Sequence, residues 1–175
     1  MPKHRHARRR GRKARRGGKF QGASAALRAA AAMRRFCRMK PCSVFDKAGG
    51  MAWFPRMLDK IRLHSRGELD ADYHGNLGKG MDGFCLDFLR IEHAALTARV
   101  LEGGTDGEIL AWCFANGREL NHGDIFLWNN FVTRVGWNDF ASKRVVTMKA
   151  EFGLAHRDDI LTIPDLIELD EGRRA

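Results

Sequence analysis

Trp53-Phe54-Pro55-Arg56-Met57-Leu58-Asp59-Lys60-Ile61-Arg62-Leu63-His64 decides how the rest of the chain is read. Trp53, Phe54, Met57, Leu58 and Ile61 fall on one face at i, i+3, i+4 and i+7 spacing, while Arg56, Asp59 and Lys60 fall on the other. The pattern predicts an amphipathic helix with its apolar stripe inward and its charged residues in water. Leu63 lands among the polar positions, so a second element is expected to touch that side. Gly67 ends the helix.

Working outward, residues 67–83 (GELDADYHGNLGKGMDG) read as loop, rich in glycine and acids. Asp82 is a candidate cap for a short helix carrying Phe84, Cys85, Phe88 and Leu89. A third helix covers Ala94 to Leu101 and closes at Gly103-Gly104. Thr105-x-x-Glu108 has capping-box spacing and opens the apolar run Ile109 to Ala115. Asp124 to Val135 forms the next helix, and Asn138 is expected to cap another that runs to Gly153. A last turn begins at Thr162 with Pro164 in its first helical turn, where a missing amide costs nothing, and ends by Gly172. The fold class is therefore all-α, an irregular or orthogonal bundle of about six short helices. No strand is required; Val44, Val145-Val146 and Ile160-Leu161 are the places where a short one could lie. No residue pattern recurs at a fixed period, which excludes a solenoid.

The charge is divided unevenly along the 175 residues. Lys and Arg number 31 and Asp and Glu 21, a net +10. Residues 1–40 carry 15 of the basic residues and no acid, leaving 16 basic against 21 acidic groups beyond. The chain thus divides into a basic arm, 1–40, with too little apolar content to fold, and a single helical domain, 41–175. In the arm, Arg8, Arg9, Arg10, Arg12, Lys13, Arg15 and Arg16 are candidates for salt-sensitive, sequence-independent contact with nucleic acid phosphates. Phe20 is its one aromatic before Phe36, so the stacking residues of single-strand binders are missing. Ala23 to Phe36 has helix-forming composition, but Arg28 interrupts any signal-peptide core. An over-extended start, with Met33, Met39 or Met51 as competing initiators, is the alternative reading of the arm.

The longest uncharged apolar stretch, Ile109 to Ala115, is far short of the roughly 20 residues that a membrane span needs. No membrane association is expected. Cys37, Cys42, Cys85 and Cys113 form no CxxC pair, and Cys85 and Cys113 sit in apolar runs, which points to core packing in a reducing cytoplasm. Ligands for a closed metal site are missing around Cys37 and Cys42, and neither metal nor cofactor is expected. Ser-His-Asp, HExxH and GxSxG spacings do not occur, and no residue is assigned as catalytic.

Two constellations carry chemistry. Gly78-Lys79-Gly80-Met81-Asp82-Gly83 fits G-x-G-x-x-G, but without a preceding strand it is not a dinucleotide fingerprint. Its weaker form is an anion site in which Lys79 and the amides around Gly78 and Gly80 meet a helix start, where Asp82 would compete as an anion of its own. The richer collection is Asp59, Lys60, Arg62 and His64 on the first helix, facing Tyr73, His74 and Asn76 of the loop. One reading is a solvated face in which Asp59 pairs with Arg56 and Arg62. The other is an anion clamp of Arg56 and Lys60, with His74 available for proton transfer. The four tryptophans read as core residues, save any that edges the loop.

The strings Trp53 to His64, Asp72-Tyr73-His74-Gly75-Asn76-Leu77-Gly78 with Lys79-Gly80-Met81-Asp82, Gly104 to Arg118, Trp128-Asn129, Gly136-Trp137 and Gly153 to Ile160 resemble a bacterial family. It is the domain-of-unknown-function family numbered five thousand and sixty-nine. The resemblance covers about residues 42–172 and departs at Leu161-Thr162-Ile163-Pro164, where relatives more often show an aromatic stretch without proline. It implies a small helical domain of the bacterial cytoplasm and carries no reaction, substrate or cofactor. The sequence thus predicts a binding or interaction module that uses the first helix and the Gly-rich loop, with an anionic ligand or a protein as partner. The alternatives are a small enzyme acting on an anionic metabolite through Arg56, Lys60 and His74, and nucleic-acid association through the arm.

Overall fold

The computed structural model describes residues 39–174. The arm candidates Arg8 to Arg16, the Ala23 to Phe36 stretch and Cys37 lie outside the described residues. Among the described residues the domain is an irregular helical bundle. A two-strand hairpin, β1 (Lys47–Ala48) and β2 (Met51–Ala52), precedes α1 (Phe54–Ser65) and a 3₁₀ segment (Ala71–Asn76). Then follow α2 (Met81–Leu89), α3 (His93–Leu101), α4 (Asp106–Asn116), α5 (His122–Arg134), α6 (Ser142–Glu151) and α7 (Ile163–Asp170).

Helix α1 is the axle. Phe54, Met57 and Leu58 have no exposed surface and pack with Cys85, Leu89, Leu96, Ile109, Cys113 and Val132 from α2 through α5. The predicted stripe is therefore the core face, and the two apolar-run cysteines are core residues. A second, smaller core joins Val145, Ile160 and Leu166 between α6 and α7. Trp53 (4% exposed) and Trp128 (3% exposed) are buried, whereas Trp137 is half exposed.

Local chemistry explains the boundaries. The Thr105 hydroxyl accepts from the Glu108 amide while the Glu108 carboxylate accepts from the Thr105 amide, the predicted box at the start of α4. Thr162 caps α7, with Pro164 in the first turn as expected. The start of α5 is corrected: a second box, Asn121 with Asp124, moves it to His122. Asn138 does not cap α6; it takes a left-handed φ of 52° in the preceding turn, and Ala141 is the N-cap. Asp82 is not a cap either, since α2 begins after Gly80 and the Asp82 side chain is turned inward.

The hairpin corrects the expectation that no strand is needed, and it lies at none of the three places named. Two-residue strands are too short to show alternation; the signal was Gly49-Gly50, whose φ values of 53° and 83° suit a tight hairpin turn. Asn129 of α5 fastens it, accepting from the Ala52 amide at 2.9 Å and donating to the Gly50 carbonyl at 2.8 Å. Trp128 Nε1 donates to the Ala52 carbonyl at 2.8 Å. A single parallel bridge joins Met39 to Leu69.

The largest correction concerns the polar face of α1. Arg56 is 2% exposed and Lys60 4%, so the face predicted to be solvated is buried, and α1 is enclosed on nearly all sides. Asp59 pairs with neither arginine: its carboxylate accepts from the Cys42 amide at 3.0 Å, and Arg62 reaches Asp106 of α4 at 2.7 Å. Periodicity within one helix cannot register carboxylates that other elements bring to it.

Candidate functional site

A cavity of about 670 Å³ opens over the buried cations of α1, walled by the 3₁₀ segment, the start of α2, and α6 and α7. Its volume lies within the range of small-molecule pockets. The floor is built from two ion pairs. Lys60 Nζ donates to both oxygens of Asp82 at 2.6 Å. Asp82, 1% exposed, also accepts from Trp53 Nε1 at 2.9 Å and from the Gly78 amide at 3.3 Å. Arg56 meets Glu171, just past α7, through Nη2 at 2.5 Å and Nη1 at 3.0 Å, and Nη1 also donates to the Cys42 carbonyl at 2.6 Å. The guanidinium lies between two rings, its Cζ 5.6 Å from the centroids of both Trp53 and Tyr73. The Tyr73 hydroxyl donates to Glu171 Oε1 at 2.5 Å.

Arg173 completes the anchoring of this edge. It contacts Glu171 and Glu168, and Glu168 in turn accepts from the Val44 amide at 3.0 Å. The C-terminal turn is thereby tied to the segment that leads into the hairpin. One donor is left over: Arg56 Nε is buried and has no acceptor among the described residues.

Burial governs the acid–base behaviour of these groups. It lowers the pKa of Arg56, against the opposing influence of Tyr73, and that of Lys60, against the attraction of Asp82. Burial raises the pKa of Tyr73, with the Arg56 charge opposing, so the phenol stays protonated and donates to Glu171. Nearby but outside the cavity, burial and the carboxylates Asp59 and Asp46 push the Cys42 thiol up to about 12.

Of the residues singled out in the sequence, Arg56, Lys60, Tyr73, Asn76, Lys79 and Gly80 line the cavity. Asp82 and Gly78 stand behind it: Asp82 is the counterion of Lys60, and Gly78 takes φ 67° directly against the His93 ring, with no room for a side chain. The phosphate-cradle geometry is therefore not what these glycines form, because Asp82 already occupies the Gly78 amide. Asp59 faces a separate shallow depression with Cys42 and Arg62. His74 is not a cavity residue. Its ring stands edge-on to His64 at 4.9 Å, and its Nε2 is 3.3 Å from the Leu69 carbonyl. The two histidines do meet, as a folded-back loop would require, but neither lines the cavity.

The sequence reading missed the opposite wall. Met148 of α6, its C-cap Phe152, Ile163 and Ile167 of α7, and Glu171 come from more than 80 residues downstream of α1. Nothing local marks them. Glu171 is one of four acids between 165 and 171, with Asp165, Glu168 and Asp170, so the sequence does not single it out as the partner of a buried base.

Among the described residues no helix is long and apolar enough to cross a membrane. No curated protein matches the chain in sequence. Residues 38–173 match the family described as Domain of unknown function (DUF5069), nearly the whole of the described domain and a span that includes every cavity residue. The chain belongs to that family.

Proposed function

We propose that the domain is a binding module whose ligand site is the cavity over Arg56 and Lys60. One observation carries this reading: two cations, 2% and 4% exposed, form the floor of a cavity of ligand size. Buried ion pairs are costly to desolvate, and apolar residues of similar volume often serve stability as well or better. A core that keeps two such pairs side by side, on the wall of an open cavity, supports a role beyond folding. The apolar wall from α6 and α7 supports an organic ligand over a bare ion.

The enzymatic alternative is favoured less. His74, its intended proton carrier, packs on His64 outside the cavity, and the groups that line the floor are already matched to counterions. A reducing cytoplasm is supported by the buried free thiols Cys85 and Cys113, which belong to the core.

The test is thermal stabilisation of the full chain by a chemically broad panel of small metabolites, with Met148→Trp as a variant that fills the cavity. At least one compound is expected to raise the melting temperature of the wild type and not of the variant. If stabilising compounds act equally on both, or none stabilises, the cavity is not a binding site.

A further inference from the structure

Outside the cavity, the surface where α2 and α5 meet is aromatic rather than charged. Buried Trp128 stacks on Phe88 at 5.2 Å and meets Phe131 at 5.7 Å. Phe131 stands edge-on to Phe84, and Phe84 edge-on to Phe140, each pair at 5.7 Å. The row of rings thus runs from the core out to Phe140, which precedes α6 and is 70% exposed. On α5, Leu127 lies one turn before Phe131 with Phe126 beside it, and they are 65% and 60% exposed. From Ile125 to Thr133 α5 carries no charged residue. The outward side of a surface helix ordinarily carries charge, so this face is suited to a partner rather than to water.

Area and charge say which partner. A ring side chain presents about 150–250 Å², so the exposed fractions of Phe84 (41%), Phe126 and Phe140 leave roughly 250–430 Å² of aromatic surface, before Leu127 is added. A homodimer of standard size buries about 800 Å² per subunit, about two-thirds of it apolar, and the face supplies most of that apolar part. A twofold axis brings the same residues of two copies together, and a patch without charge meets its own image without repulsion. Asn130, one turn from both Phe126 and Leu127, suits such an axis. Its Nδ2 donates to the Phe126 carbonyl at 2.9 Å, and its Oδ1 has no donor among the described residues. The amide keeps one spare acceptor and one spare N–H, which pair with the same groups of a second copy. The flanking charges are also balanced. Asp87 lies one turn from Phe84 and Arg134 one turn from Phe131, and neither side chain has a partner among the described residues.

We infer that this face is a self-association site. Two copies of the chain pair α5 against α5 about a twofold axis, with Phe84, Phe126, Leu127 and Phe140 at the apolar centre and Asn130 near the axis. The site is separate from the cavity and does not depend on its reading.

Sedimentation equilibrium of the full chain across the micromolar range tests it. The wild type is expected to be a dimer. Leu127→Glu and Phe140→Asp alter exposed side chains, so each is expected to keep the helical circular dichroism of the wild type. Each is also expected to raise the dimer dissociation constant tenfold or more, by placing an unpaired charge in the contact. Leu101→Glu, at an exposed leucine of α3, is expected to leave the dimer unchanged. In a Cys37→Ser background, Asn130→Cys is expected to cross-link to its own counterpart under mild oxidation, as a residue near a twofold axis does. A wild-type chain that stays monomeric, or a dimer that both Leu127→Glu and Phe140→Asp leave intact, overturns the inference. Dimers that both variants weaken but Asn130→Cys does not link show a head-to-tail contact and overturn the twofold arrangement. If either charged variant loses its helical signal, the cross-link decides alone.

Discussion

Asp82→Ala should be among the most damaging single substitutions outside the apolar core. Asp82 is 1% exposed and accepts from three donors: the Lys60 ammonium, Trp53 Nε1 and the Gly78 amide. Its removal strands a buried ammonium, itself 4% exposed, together with an indole N–H. Removing one partner of a buried pair costs about 3–5 kcal/mol, because the remaining charge is left without compensation. Domains of this size have a total stability of about 5–15 kcal/mol, so a fifth or more is lost. Lys60→Met is milder, at about 2 kcal/mol, since Asp82 keeps two donors worth about 1 kcal/mol each. In the double variant no ammonium is stranded, so Lys60→Met/Asp82→Ala is expected to be more stable than Asp82→Ala alone. Urea unfolding followed by circular dichroism at 222 nm measures all three. A loss below about 1 kcal/mol for Asp82→Ala, or a double variant whose loss equals the sum of the singles, would show that the pair is not the buried, coupled unit described above.

Other consequences follow from the same geometry. Gly78→Ala would put a Cβ 2.6 Å from the His93 ring at φ 67°, whereas Gly80, at φ 56°, has open space around it. The first should cost about 2–3 kcal/mol and the second about 1 kcal/mol in the same urea assay. In a Cys37→Ser protein no thiol should react quickly with Ellman's reagent at pH 8 before unfolding: Cys42 is held up to about 12 and Cys113 to about 11 by burial first, and Cys85 is raised as well. The backbone and side-chain hydrogen bonds from Thr105 lower the pKa of Glu108, so between that lowered value and 4.5 the unfolded chain binds more protons. The stabilisation it gives is present above about pH 4.5 and fades as pH falls through the folded value; melting curves of wild type and Glu108→Gln should converge in acid. Deleting residues 1–38 removes 14 basic residues and no acid, and should abolish retention on heparin or DNA resin at moderate salt; retention that survives the deletion places nucleic-acid contact elsewhere.

How much could be read beforehand depended on the range of the interaction. The apolar stripe of α1, the Thr105–Glu108 box and the Thr162-x-Pro164 start were legible because each is fixed by residues within one or two helical turns. The docking of the 67–83 loop on α1 was also legible, from the concentration of polar partners in both. Arg56 and Lys60 were placed on the wrong side of the solvent boundary for the opposite reason. Their counterions, Glu171 and Asp82, lie 115 and 22 residues away, and nothing in the spacing of α1 itself distinguishes a solvated cation from one enclosed by a distant carboxylate. Sequence proximity groups His74 with Tyr73 and Asn76 as a proton carrier for a clamp of Arg56 and Lys60. A 3₁₀ segment has three residues per turn, so residues one apart point in different directions, and His74 turns toward His64 while Tyr73 and Asn76 face the cavity.

The most direct test of the account is where a stabilising ligand acts on the full chain, read from side-chain NMR. The molecule has a second surface that could attract apolar compounds, the exposed aromatic face where Phe84 stacks edge-on with Phe131 and Phe140. The account predicts that the Trp53 Nε1–H, the Arg56 Nε–H and the Met148 methyl shift together on titration while the Phe84 and Phe140 rings stay unmoved. Shifts confined to Phe84, Phe131 and Phe140, with the Trp53 and Arg56 signals unchanged at saturation, would contradict it.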